Sequence, residues 1–180
     1  TTLTFRPKVS WAREFLLEGG LDFQRQNNQS KRYLTIERTR QSQTRDQDFS
    51  LNTYGAYVQA VIKPIDKLKI VPAFRIDKVT GEFANKLAGT TFDVNDYGLI
   101  KQPKISAVFS PTKNYSAYAN WGRTFQIGVG ASSFLIPPRT KDLEPSSNEG
   151  WELGLKMTPL DWIEGRVAFW QQDASGEERR

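Results

Sequence analysis

Four times along the chain, two stretches of alternating apolar and polar residues flank a connector of about four residues. A long polar segment separates one such pair from the next. In the second pair, for example, Tyr54–Ile62 and Leu68–Asp77 flank the connector at 64–67. Because apolar residues that recur with a period of two indicate half-buried strands, we expect eight strands. Their approximate ranges are 2–10, 15–25, 49–63, 68–78, 102–110, 115–125, 149–157 and 163–173.

Short connectors that alternate with long polar segments are typical of an outer-membrane β-barrel, which has short periplasmic turns and long outer loops. In Leu68–Asp77 the even positions carry no charge, whereas the odd positions include Lys69 and Arg75. Since Lys or Arg at the lipid face costs roughly 2–4 kcal/mol near the midplane, the odd face must be the inner one. The alternation also suits a soluble sandwich with one wet face. Aromatic residues near the strand ends and long segments that all fall on one side favour the barrel.

Composition limits the chemistry. The chain has no cysteine, which excludes thiol catalysis, thiolate metal sites and disulfides. It also has no histidine, which excludes a Ser-His pair and histidine-ligated metals. No acidic residues pair as general acid and base. We therefore predict that the chain is not an enzyme, with no catalytic residue, no bound metal and no cofactor.

The net charge is +5, and nucleic acid would be the generic partner of such a chain. The basic residues gather instead in the polar segment Lys31–Arg45. We interpret that segment as a solvated loop, or as a rim near anionic lipid headgroups, and predict no nucleic-acid partner.

Eight strands could close a small barrel, but the topology argues against it. If the four short connectors are periplasmic, both ends of the sequence lie on the outer side, as in a slice of a larger barrel. A slice would leave two open strand edges, which lipid does not tolerate. Thr1–Thr4 lacks the features of a signal peptide. We therefore expect a mature sequence or a part of a longer one.

Three motifs in fixed order are more specific than the alternation of apolar and polar residues. The first runs from Tyr54–Ala60 through a Pro-Ile-Asp-Lys turn to Phe74–Asp77, and the second from Pro103–Thr112 into Tyr118–Phe125. In the third, Leu143–Pro145 precedes Glu149–Lys156. Together they resemble the barrel of TonB-dependent outer-membrane receptors over about residues 51–172. Ile76, where an aromatic residue is usual, departs from the pattern, as does the Trp-Gly-Arg sequence at 121–123.

The resemblance implies an all-β, antiparallel, up-and-down transmembrane barrel of about 22 strands with a plugged lumen. Residues 1–180 would form about eight of those strands, without the plug domain and the remaining strands. Such receptors sit in the outer membrane of Gram-negative bacteria, among its lipid and lipopolysaccharide. They take up scarce nutrients, most often ferric siderophores or similar chelates, so that iron enters only as part of the substrate. The TonB complex acts through the plug.

Candidate ligand-binding residues are cationic or aromatic side chains in the long segments, since guanidinium groups pair with carboxylates and aromatic faces stack on flat ligands. They are Arg38, Arg40, Tyr97, Arg123 and Phe125. An exposed loop arginine more often faces solvent or lipid headgroups, and that interpretation stays open for each. A second set is expected on the inner face, in a charge network or against the plug. It comprises Arg75, Asp77, Lys104, Glu152, Lys156 and Arg166.

Two alternatives remain open at this point: another outer-membrane barrel such as a porin-like channel, and a surface β-sheet binding module. A porin would have a constriction loop and no plug.

Pro72 lies inside a strand that should pair on both sides. It therefore predicts a bulge or a local irregularity.

Overall fold

The computed structural model describes residues 1–128 and 130–176, without the side chains of residues 130 and 131. The elements are β1 (Thr2–Phe5), β2 (Glu14–Ile36), β3 (Thr39–Ile65), β4 (Leu68–Asn85), β5 (Thr90–Asp93), β6 (Ile100–Phe109), β7 (Tyr115–Gln126), a 3-10 helix (Gly130–Ser133), β8 (Ser146–Leu160) and β9 (Ile163–Ser175). Within the described residues, no helix has the length and apolar character needed to span a membrane.

Nine strands form one antiparallel sheet in the order β1-β2-β3-β4-β6-β7-β8-β9, with β5 paired to the outer end of β4. Sequence neighbours are spatial neighbours, as in an up-and-down arrangement. The sheet stays open in this chain. The predicted all-β, antiparallel, up-and-down architecture is confirmed.

The short connectors lie where the sequence predicts them, although their lengths differ. Pairing of Ile65 with Leu68 and of Leu160 with Ile163 leaves two-residue turns in place of the expected four. The first connector is longer than expected because β1 ends at Phe5, so that residues 6–13 lie between β1 and β2.

The first long polar segment is not a loop, and this part of the prediction was wrong. β2 and β3 continue as a paired hairpin up to Ile36 and Thr39, with Glu37 and Arg38 in the left-handed region at its tip (φ 46° and 64°). The strands are 23 and 27 residues long, far beyond the length that a bilayer requires. Because the ladder pairs the backbone groups that face the partner strand and water can bind the others, the hairpin needs no apolar alternation once it stands in water.

One face of the sheet is apolar and exposed, as the parity of the sequence predicts. Leu21, Phe23, Leu153 and Phe169 on that face are 67%, 59%, 51% and 69% exposed. On β2 the apolar positions run from Phe15 to Phe23, which spans about 25–30 Å along the strand. Tilted as in a barrel, this gives an apolar band close to the ~25 Å of an outer-membrane protein.

Inner-face rings lie across glycines of the neighbouring strand. Gly154 pairs with Tyr118, and a Cβ on Gly154 would collide with the tyrosine ring. Gly20 and Tyr57 repeat the arrangement, with a Cβ on Gly20 only 2.6 Å from Cε1 of the ring. These glycines therefore provide the space in which the tyrosines lie flat on the sheet.

Pro72 interrupts the β3–β4 ladder without shifting its register. Bridge pairs Gln59–Ala73 and Ile62–Ile70 share one register, and the β3 positions between them have no assigned partner in β4. The predicted local irregularity is present, whereas the predicted bulge is absent because the register does not shift across Pro72.

Candidate binding cavity on the inner face

A cavity of about 700 Å³ opens on the inner face, near the ends of the strands that carry the long segments. The β2–β3 hairpin, β4, β6 and the segment after β7 form its walls. Half of its lining residues are neutral and polar, and apolar side chains, three of them phenylalanines, supply a third. The lining consists of Gln24, Gln26, Asn28, Gln29, Ser30, Thr53, Gln102, Gln126 and Ser133 (polar), Phe49, Leu51, Val79, Phe125, Ile127 and Phe134 (apolar), Gly128, and the charged pair Arg75 and Asp77.

Arg75 is clamped between two carboxylates at the base of this cavity. Its Nη2 donates to Oδ1 of Asp22 at 2.7 Å and to Oδ1 of Asp77 at 2.6 Å, and its Nε donates to Oδ2 of Asp77 at 2.9 Å. Asp77 is 1% exposed and also accepts a 2.6 Å hydrogen bond from Nε2 of Gln102. The predicted salt bridge between Arg75 and Asp77 is therefore present, and it fixes a rigid polar floor.

A buried asparagine ties together the two segments that close the cavity. Asn95 is fully buried; its Nδ2 donates to the carbonyl of Ser132 at 2.9 Å, and its Oδ1 accepts from the backbone N–H of Leu143 at 3.3 Å. The backbone N–H of Asn95 also donates to the carbonyl of Ser133 at 2.9 Å. These bonds hold residues 94–99 against residues 132–143.

Three phenylalanines make the apolar side of the same wall. The ring centroids of Phe49, Phe83 and Phe134 lie 5.0–5.9 Å apart. Phe83 and Phe134 are 3% and 2% exposed, so this apolar cluster is buried although much of the sheet is open on both faces.

A second polar cluster lies on the inner face, nearer the short turns. The carboxylate of Glu152 accepts hydrogen bonds from the hydroxyl of Tyr118 and from Nη2 of Arg166. Arg166 Nε donates to the Tyr118 hydroxyl at 2.7 Å, and the Lys156 ammonium lies 5.7 Å from the centroid of the same ring. The expected charge network is thus present.

The strand register also places Lys104, the remaining inner-face candidate, on the inner face. Lys104 pairs with Ala73, which puts it on the face of Arg75 and Asp77. All six side chains predicted to point inward therefore share one face of the sheet. Contact between that face and a plug stays a prediction.

The five predicted ligand-binding residues are scattered. Arg38 and Arg40 are at the hairpin tip, and the Arg40 guanidinium stacks 4.2 Å from the centroid of the Tyr33 ring. The cavity lining on β2 ends at Ser30. At ~3.3 Å per residue, the tip is therefore about 20 Å or more beyond the lining.

Tyr97 is 7% exposed and belongs to the wall instead of the cavity surface. It packs with Val79 and Ile100, and its hydroxyl is within 3.3 Å of Nδ2 of Asn95. We expect Tyr97 to support the wall from behind.

Arg123 and Phe125 lie close in sequence but in different surroundings. Arg123 pairs with Glu149, with Nη2 2.6 Å from Oε2, and shares its face with Trp121 and the apolar band. Pairing between β6 and β7 ends at Gly122, and beyond it Phe125 packs against the Val79–Tyr97–Ile100 cluster and lines the cavity. Of the five candidates, only Phe125 borders the cavity.

The predicted binding residues do not include the amides, which form most of the polar lining. One signal was available: Gln24, Gln26 and Asn28 alternate in β2 on the inner parity, directly after the apolar band. No such pattern marks Gln102 or Asn95. Within the described residues, no three His, Cys, Asp or Glu side chains converge as a metal site would require.

The sequence matches the family model described as TonB dependent receptor-like, beta-barrel, over residues 1–177. The chain belongs to this TonB-dependent receptor family. Its members are receptors and transporters. The predicted resemblance is confirmed, and no curated protein matches the sequence significantly.

Solved structures show the same fold. The ferric citrate transporter FecA in its unliganded form matches with a TM-score of 0.81 and 18% identity, over 94% of this chain and 26% of FecA. The alcaligin outer-membrane receptor FauA from Bordetella pertussis matches with a TM-score of 0.69 and 17% identity, over 96% of this chain and 28% of FauA. This TonB-dependent receptor segment thus spans about a quarter of each.

Proposed function

We propose that these residues form one wall of an outer-membrane receptor for the energy-dependent uptake of a scarce nutrient, with a ferric siderophore as the substrate class. The observation that carries this proposal is the contrast between the two faces of the sheet. An exposed apolar band covers one face, and a cavity of about 700 Å³ lined by both polar and apolar side chains opens on the other. A volume of that size suits a ligand of drug-like dimensions.

The remaining assignments belong to the same proposal. The apolar band contacts the outer membrane of a Gram-negative bacterium, with lipid and lipopolysaccharide around it. The segment is part of a longer receptor whose plug couples to the TonB complex, because it spans only 26–28% of the length of the two structures it matches. The family match gives no support to the porin-like channel or the surface binding module.

The test is growth under iron limitation. A strain in which the complete receptor gene is deleted should lose growth on one ferric siderophore, and the plasmid-borne gene should restore it. Cobalamin and copper, supplied in parallel, test the other scarce nutrients. The same plasmid in a strain without the TonB complex should not restore growth. If no chelate or nutrient gives receptor-dependent growth, the uptake function is wrong.

A further inference from the structure

We propose that this cavity selects a polar chelate without net negative charge, a neutral ferric trihydroxamate in preference to a polycarboxylate or catecholate chelate. The inference rests on the proposed function and narrows its substrate class. Three features of the cavity support it: the chemistry of its polar groups, its charge and its apolar wall.

The polar groups that face the cavity are predominantly carboxamides. Gln24, Gln26, Asn28, Gln29, Gln102 and Gln126 supply six of them, from three different strands. A carboxamide carries both donors and an acceptor and has no charge. A surface of this kind matches a ligand that presents carbonyl, amide N–H and hydroxyl groups, as a hydroxamate or a peptide-like backbone does.

The charge at the cavity floor is formally negative. Among the described lining residues only Arg75 and Asp77 are charged, and Asp22 completes their cluster, so that one guanidinium faces two carboxylates. The donors of Arg75 at Nε and Nη2 already point at these carboxylates. An anionic chelate would meet a net negative cluster instead of the guanidinium fork that pairs well with carboxylates.

Two cations outside the lining, Lys78 and Arg139, bind other groups. Lys78 pairs with Asp96 at 2.9 Å, and Nη1 of Arg139 donates to the carbonyls of Ser132 and Phe134 at 3.2 Å. Neither side chain lines the cavity.

The phenylalanine wall adds an apolar surface for the aliphatic parts of the ligand. Phe49, Phe125 and Phe134 line the cavity together with the amides of β2. In a ferric trihydroxamate, three singly charged hydroxamates cancel the charge of Fe³⁺, and alkyl spacers join polar groups. Catecholate and citrate complexes keep a net negative charge, which the cavity does not balance.

The experiment uses the complete receptor that contains this segment, purified in detergent, with tryptophan fluorescence as the readout of binding. The probes are the neutral iron(III) complex of a cyclic trihydroxamate, ferric citrate and an iron(III) tris-catecholate. We expect the trihydroxamate to bind at least about tenfold more tightly than either anion. Equal or tighter binding of citrate or catecholate would overturn the inference while leaving the uptake function intact.

Two variants that each insert one positive charge test whether the selectivity resides in this cavity. Gln26→Lys adds a cation to an exposed position of the lining, and Gln41→Lys makes the same change in the exposed part of the hairpin outside the cavity. Gln26→Lys should change the ratio of the trihydroxamate affinity to the ferric citrate affinity by about tenfold in favour of ferric citrate. Gln41→Lys should leave that ratio unchanged. An unchanged ratio in Gln26→Lys, or equal shifts in both variants, would contradict the proposed site. Failure of every chelate both to bind and to support growth would instead refute the uptake function.

Discussion

At the scale of single residues, the most constrained group is the buried carboxylate of Asp77. It is 1% exposed and bonds both Arg75 and Gln102. In Asp77→Ala, Arg75 retains Asp22, but the Gln102 amide and one side of the guanidinium lose their acceptor. We expect the free energy of unfolding to fall by about 2–3 kcal/mol, measured by urea denaturation in detergent. Asp66→Ala, in an exposed turn, is the control and should change it by less than about 0.5 kcal/mol. Equal effects of the two substitutions on the free energy of unfolding would show that the hydrogen bonds of Asp77 do not stabilise the fold.

The pairing of Gly154 with Tyr118 makes a second prediction at this scale. Gly154→Ala forces the ring off the sheet, so it should lower the apparent Tm, whereas Gly165→Ala should not, because its Cβ would meet Met157 Cγ at an ordinary 3.4 Å. Adding Tyr118→Ala to Gly154→Ala should cost less than the sum of the two single changes. Additive effects in this double-mutant cycle would mean that the ring does not lie on the glycine.

The stability of the segment between β5 and β6 should depend on pH through Asp96, which lies in it. A hydrogen bond from Lys78, and then one from the backbone N–H of Gly98, lower the pKa of Asp96 below its ordinary 3.8. A depressed pKa in the folded state means that the stabilisation is complete above that ordinary value and is lost as pH falls through the folded pKa. Hydrogen exchange of residues 94–99, corrected for intrinsic rates, should show constant protection from pH 7 to 5 and loss only below about pH 4. Loss of protection near neutral pH would contradict this assignment.

At the scale of elements, the parity of the strands was predictable and their length was not. Charges such as Lys69 and Arg75 decide which face points inward, because a charge in hydrocarbon is costly. Above the apolar band, Gln26 and Asn28 were predicted to lie in a polar loop, yet the backbone ladder continues to Ile36. The cavity amide of Gln102 was not predictable either, since its partner Asp77 is 25 residues away and no local pattern joins them.

The outer part of the β2–β3 hairpin should be dispensable for the cavity. Ser30 pairs with Gln47, so residues 31–46 can be replaced by an Asn-Gly turn that suits a two-residue hairpin. Because the β2 lining ends at Ser30, the shortened receptor should bind its chelate within about threefold of the unaltered receptor in a fluorescence titration. A loss of about tenfold or more would place Arg38 and Arg40 in the binding site after all.

At the scale of the whole molecule, the membrane-spanning interpretation requires that the two faces of the sheet contact different solvents. The apolar band is continuous across β2, β3, β4 and β6–β9, whereas the opposite face carries charged networks and the cavity. Such a large exposed apolar surface is unusual for a protein in water. The band could be predicted from the sequence because hydrocarbon acts on every strand alike. The cavity depends on contacts between distant segments, such as Asn95 with Ser132, and could not be predicted in that way.

The most direct test labels single cysteines with a nitroxide in the complete receptor in lipid bilayers, since residues 1–180 contain no native cysteine. Ala117 and Ala119 lie on the apolar face, and Ser116 and Asn120 lie on the inner face of the same strand. Labels at the two alanines should be accessible to oxygen dissolved in lipid and shielded from a water-soluble nickel relaxant, with the order reversed at Ser116 and Asn120. Accessibility that does not alternate along β7, or alanine positions shielded from both relaxants as in a packed core, would contradict the membrane-spanning account.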